Sequence, residues 1–301
     1  AQESDDRLDK ALLDGDRVMS RLLVDVERAK VDRPGFVGAA RLSTDALTPT
    51  GVRAEGGGWG GNAAVLHGRV YFAPCEADDV LVVEPRGEGE APAVSFIPTG
   101  HTWGGCKRWG VAALDDRLYF SPATATSVMV VEPGAKGETP VVSFIDTGLE
   151  GGHINYLGIT ALRGRLYCAP FFADKVMVVE PAGKAGQPAA SFIDTGLGPG
   201  PKWAGIAALG GRLYCAPFDA ADVLVIEPGG AGERPGVSFI PSGRPEGGEK
   251  WVGIAALGGR LYCAPRNAAE VLVIDPGGEG REPATSFIDT GRGPGGAKWE
   301  G

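Results

Sequence analysis

The side chains able to do chemistry are few and scattered. There are five cysteines (Cys75, Cys106, Cys168, Cys215, Cys263), three histidines (His67, His101, His153) and six tryptophans (Trp59, Trp103, Trp109, Trp203, Trp251, Trp299). No two cysteines have CxxC spacing, so neither a zinc knuckle nor a disulfide framework is expected. No histidine pair has the HxH or HExxH spacing that sets two imidazoles on one metal. A G-x-S-x-G nucleophile turn and a phosphate-binding glycine loop are both missing. The sequence makes no positive case for an enzyme, and it names no catalytic residue, metal or cofactor.

Composition narrows the rest. The 301 residues include 49 Gly and 23 Pro, about twice ordinary usage, yet 43% are hydrophobic, which argues against a disordered chain. Turn residues between short apolar runs suit an all-β protein. A net charge of −9 argues against nucleic acid as the partner. The apolar runs are too short to span a membrane as helices.

The elements that must position any site come from a repeat. The pattern R-[LV]-Y-[FC]-[AS]-P recurs at Arg69, Arg117, Arg165, Arg212 and Arg260, spaced 48, 48, 47 and 48 residues apart. A β-type unit of this length reads as a propeller blade. In the fourth copy the expected strands are Gly205–Leu209, Arg212–Pro217, Val223–Glu227 and Val237–Ile240. Gly210-Gly211 marks a tight hairpin, with Asp115-Asp116 and Arg163-Gly164 in the equivalent turns. Pairing Arg212 with Glu227 sets Leu213 opposite Ile226, Tyr214 opposite Val225 and Cys215 opposite Leu224. Both faces are then apolar and must be covered, as stacked blades require. The expected fold is an all-β propeller of five four-stranded blades over 59–301, with six as the alternative. Lys298-Trp299-Glu300-Gly301 starts a sixth copy.

G-G-R-L-Y, the V-L-V-[IV]-[ED]-P strand, S-F-I and Trp-Gly-[IV]-A-A-L together resemble kelch-type blades over roughly residues 59–301, although the doubled glycine is kept only at 210–211 and 258–259. The copies are also similar to uncharacterised algal propeller repeats. The resemblance implies a blade architecture and protein binding, but no chemistry. With the chain opening on AQES, it suggests a processed protein of an organelle lumen or the secretory route, a plastid included.

Residues 1–35 read as an amphipathic helical extension. Leu8, Leu12, Met19, Leu22 and Val26 lie on one stripe that packs on the propeller or docks on another subunit. Residues 36–58 read as a linker, in which Phe36–Ser43 could close the ring with an outer strand.

What repeats should serve the blade. The Arg and acid 15 residues apart (Arg69/Glu84, Arg117/Glu132, Arg165/Glu180, Arg212/Glu227, Arg260/Asp275) should be cross-strand ion pairs on one rim. Cys168, Cys215 and Cys263 share a position with Phe72 and Phe120, which suits a buried apolar slot. Cys75 and Cys106 are off register, in loops on one face; a disulfide is open to them, and two free thiols are expected.

What breaks the repeat is the better candidate for function. Trp203 and Trp251 should wedge between blades. Trp59, His101, Trp103, Trp109, His153, Asn155, Tyr156, Phe171 and Phe172 are the binding candidates, with an exposed Phe171-Phe172 pair as the sharpest. The expected function is a non-catalytic scaffold or accessory subunit contacting other proteins of a larger assembly, an organellar complex, with a photosynthetic one as the narrower expectation. A lectin-like carbohydrate binder is the alternative, and a channel hydrolase or lyase the third reading.

Overall fold

The computed structural model describes residues 58–296, apart from 88–89, 101–104, 136–137, 182–185, 230–233 and 279. The stripe from Leu8 to Val26, Phe36–Ser43, His101 and Trp103 lie outside the described residues.

Among the described residues twenty strands form five antiparallel sheets, each in simple chain order. Blade one holds Trp59–Leu66 (β1), Arg69–Pro74 (β2), Asp79–Glu84 (β3) and Ala93–Pro98 (β4). Blade two holds Arg108–Leu114 (β5), Arg117–Pro122 (β6), Ser127–Glu132 (β7) and Val141–Asp146 (β8). Blade three holds Tyr156–Leu162 (β9), Arg165–Pro170 (β10), Lys175–Glu180 (β11) and Ala189–Asp194 (β12). Blade four holds Trp203–Leu209 (β13), Arg212–Pro217 (β14), Asp222–Glu227 (β15) and Gly236–Pro241 (β16). Blade five holds Trp251–Leu257 (β17), Arg260–Pro265 (β18), Glu270–Asp275 (β19) and Ala284–Asp289 (β20).

The predicted register is the observed one: Leu213 faces Ile226, Tyr214 faces Val225 and Cys215 faces Leu224. The first hairpin of each blade turns through two residues with positive φ, at Gly210 and Gly211 (59° and 79°) or Asp115 and Asp116 (48° and 59°). Such turns match the twist of the strands they join. The five Arg–acid pairs on the rim also form, with N–O distances from 2.9 to 3.6 Å. Most of their side chains are a third to a half exposed, so each contributes at most about 1 kcal/mol.

The blades are held instead by their apolar faces. Tyr167, Val176, Val178 and Ile193 of blade three meet Trp203, Leu213, Cys215 and Leu224 of blade four. The same layer recurs between blades one and two, two and three, and four and five. Burying one such side chain is worth about 1.5–3 kcal/mol, so a single layer outweighs all the rim ion pairs. Cys168, Cys215 and Cys263 sit fully buried in these layers, where desolvation pushes their thiols well above the ordinary range.

A hydroxyl clamp ends each blade. Thr99, Thr147, Thr195 and Thr290 each donate to the carbonyl just before the third strand, at 2.5–2.6 Å, and Ser242 does the same to Ala221. Toward the axis the inner strands run very close. A Cβ on Gly110, Gly158 or Gly205 would lie 2.6–2.7 Å from a carbonyl oxygen of the next inner strand. Only glycine permits that approach.

Candidate functional site

The loops on one face of the ring are stitched together around the axis. The residue before each inner strand donates its backbone N–H to the residue after the second strand of the preceding blade. Lys107 thus bonds to Cys75, Asn155 to Ala123, Lys202 to Phe171 and Lys250 to Phe218, at 2.8–3.0 Å. On this face Trp109, Leu157, Phe171, Phe218 and the Cys75–Cys106 pair form one buried apolar plug.

That plug corrects several expectations. Phe171 is 1% exposed and packs edge-on against Phe172 and Phe218, at 5.4 and 5.1 Å between ring centres. It is not half of an exposed pair. Trp109 is buried in the plug at 7% exposure. Tyr156 is buried in the layer between blades two and three, where its hydroxyl donates to the Lys175 carbonyl at 3.0 Å and burial raises its pKa. Cys75 and Cys106 are joined in a disulfide, not two free thiols.

The wedging tryptophans behave as a set. Trp203 and Trp251 are fully buried, each donating from Nε1 to the carbonyl of the residue that opens the third strand, Asp222 or Glu270, at 2.8 and 2.9 Å. Trp59, grouped with the binding candidates, makes the same bond to Asp79 at 2.8 Å and is half-buried. Its conformation is that of a blade residue.

What remains accessible is the loop before β9. His153 is exposed and stacks on half-buried Phe172 at 6.5 Å, and Ile154 and Asn155 are half-buried beside it. These four form an apolar ridge with one polar edge, next to the plug. Around the mouth the side facing blade five is polar. Arg266 pairs with Glu249 at 3.2 Å, and the Asp219 carboxylate accepts the Glu249 N–H at 2.7 Å. Desolvation is the main cause of the raised Asp219 pKa. Lys202 inserts its ammonium among the carbonyls of Ala173, Gly198 and Gly200 at 2.7–3.2 Å, which makes it a loop brace.

The axial cavity below the plug is lined by Gly61, Gly158, Gly205, Ile206, Gly253 and Ile254, with Asn62 as its polar member. The Asn62 Oδ1 already accepts the Val111 N–H at 2.9 Å. Among the described residues no three acidic, histidine or cysteine side chains gather as a metal site, and no helix is long and apolar enough to cross a membrane.

No family model matches this chain, and no curated protein matches it in sequence. Solved structures do. A streptogramin B lyase is similar at TM-score 0.55 and 14% identity, over 77% of this chain and 69% of that one. A putative 6-phosphogluconolactonase from Bacteroides uniformis matches at TM-score 0.55 and 13% identity, over 74% and 69%. A catalytically inactive virginiamycin B lyase from Staphylococcus aureus, solved with quinupristin, matches at TM-score 0.54 and 12% identity, over 78% and 71%. At such identity the likeness concerns the fold. The described residues form a β-propeller fold of five repeated four-stranded blades.

Proposed function

We propose that this propeller is a non-catalytic scaffold or accessory subunit, kelch-like in its blades, that binds other proteins of a larger assembly through the ridge of His153, Ile154, Asn155 and Phe172. The observation that carries this reading is the packing of the axial mouth. The end of the channel is filled by Phe171, Phe218, Trp109 and Leu157, and the cavity beneath is apolar apart from an engaged Asn62. Beside that rigid plug, Phe172 and Ile154 offer apolar surface held in place from below. Apolar anchors on a pre-ordered base are what a protein interface requires. The organellar setting belongs to the same proposal and rests on the algal resemblance of the repeats.

A photo-crosslinking residue at Phe172 in the full chain, tested in the native extract, should give a defined protein adduct. The same residue at Val141, 56% exposed on β8, should not. Equal labelling at both sites, or none at 172, overturns the reading.

One observation favours the carbohydrate alternative. Phe96 and Phe239 on the outer strands are 37% and 39% exposed, and pack against Trp59 and Trp203 with ring centres 5.8 and 6.2 Å apart. A glycan array with Phe239→Ala as control tests it. Among the similar structures are two lyases and a putative lactonase, so turnover of cyclic esters is the assay for the third reading.

A further inference from the structure

The inner strand of blade one breaks the repeat in one place. From Trp203 to Ile206, β13 advances three residues while its partner strand advances two, and β5, β9 and β17 carry the same single extra residue. From Trp59 to Ala63, β1 advances four residues while its partner advances two. The second extra residue leaves Gly61 and Asn62 together outside the ladder, with Gly61 at φ 70°. A bulge of this kind re-aims a side chain. Here the side chain is that of Asn62, the polar member of the axial cavity.

One hydrogen bond fixes how the amide is turned. Its Oδ1 accepts the Val111 N–H at 2.9 Å, so the NH2 group is directed away from that strand. Among the described residues Nδ2 has no hydrogen-bond partner, and Asn62 is exposed. An oxygen alone would satisfy Val111. The two N–H donors are therefore surplus to the fold.

The space beside them is small and apolar. The cavity measures about 130 Å³, and Trp109, Ala204 and Val252, which it shares with the plug, close one end. Ile206 and Ile254 add aliphatic wall. Beyond it β13 and β17 continue through Ala207, Ala208, Ala255 and Ala256, small side chains that are half-buried or exposed, so the cavity opens away from the plug. No lining residue carries a charge, an imidazole, a thiol or a hydroxyl. An ion would lose its hydration there without compensation, so the fitting occupant is neutral. An apolar cavity of about 150 Å³ takes one six-membered ring. Because the free part of the amide only donates, that ring must bring an acceptor.

We infer that the axial cavity binds a neutral monocyclic carbonyl compound of about seven non-hydrogen atoms, its oxygen accepting from Asn62 Nδ2 and its ring packed on Trp109, Val252, Ile206 and Ile254. With no acid, base or nucleophile on its wall, the cavity holds the compound without transforming it. The site adds a small-molecule ligand to the scaffold and does not depend on the ridge.

Cyclohexanone is the probe, and toluene, similar in size but without the carbonyl, is its control. The chain has three asparagines and two glutamines, so its side-chain amides are few enough to resolve by NMR, and Asn62→Asp identifies the Asn62 pair by its loss. Titrating cyclohexanone into the isotope-labelled full chain should shift that pair saturably. Asn62→Asp keeps an oxygen for Val111 and removes the donors. Read from saturation transfer to each probe, it should weaken cyclohexanone about ten-fold and toluene hardly at all. Ile254→Phe fills the cavity and should weaken both probes; should that variant not fold, the shift of the wild-type amide decides. An unmoved Asn62 pair, or cyclohexanone binding that Asn62→Asp leaves intact, overturns the site. Equal weakening of both probes by Asn62→Asp overturns the carbonyl contact and leaves an unselective apolar cavity.

Discussion

The guanidinium of Arg108 lies 5.4 Å from the centre of the Phe144 ring, in the slot that an indole fills in three sister blades. Arg108 opens β5 as Trp203 opens β13, and it is 2% exposed. Among the described residues its Nε and Nη2 have no hydrogen-bond partner, and burial pushes its pKa down to about 10. It is still charged at neutral pH, so blade two carries a buried cation that, among the described residues, contact with one ring offsets only in part. Arg108→Trp should restore the repeated bond, to the Ser127 carbonyl, and remove the charge. The expected gain is about 2 kcal/mol. It is read as a higher urea midpoint at unchanged slope; a lower midpoint would show that the cation has a partner in the folded protein.

The thiols give an independent count. The disulfide between Cys75 and Cys106 spans 31 residues and ties the loop after β2 to the loop before β5. The other three cysteines are buried and held in the neutral form. A thiol reagent should find no group in the native protein, three after unfolding without reductant, and five after reduction. Replacing both Cys75 and Cys106 by Ser should cost about 3 kcal/mol. Five thiols on unfolding without reductant would exclude the bridge.

The close approach of the inner strands is testable at one atom. A Cβ at position 205 would meet the Val252 oxygen at 2.6 Å, which is backbone and cannot swing away. Gly205→Ala should therefore cost about 2 kcal/mol, against a few tenths for Gly198→Ala, where the space is open. Chemical denaturation of the two variants decides it.

Adjacent phenylalanines should behave oppositely. Phe171→Ala empties a site within the plug and should lose about 3–4 kcal/mol of stability. Phe172→Ala removes a half-buried ring at the surface and should lose about 1 kcal/mol while weakening any complex. Thermal melts of both variants separate the two roles, and equal losses would contradict the assignment.

How much of this was legible in the residues varies with the repeat. Strand register, the rim ion pairs and the buried cysteine slot were all readable, because five copies average out local accidents and alternation fixes which side chains share a face. The expected Gly205–Leu209 fell two residues short of β13, because Trp203, expected as a wedge between blades, is itself the first residue of the strand. Phe171 was misread for a different reason. It occupies the position of Phe218, so the repeat already marked it as internal, and only Phe172 broke the pattern. The Cys75–Cys106 bridge joins two positions that are backbone neighbours at each of the four described junctions between blades, through the bonds from Lys107, Asn155, Lys202 and Lys250. That adjacency comes from the stacking of successive blades, which no single repeat displays.

The claim that matters most is that the ridge of His153, Ile154 and Phe172 is occupied by another protein. Its most direct measurement is the native size of the chain in its own extract, compared with that of Ile154→Glu in the same background. The wild type should run well above the mass of its own single chain, and the variant should fall toward that mass, with both proteins equally folded. A wild type that already runs at the size of one chain, or a variant that stays in the large species, would contradict it.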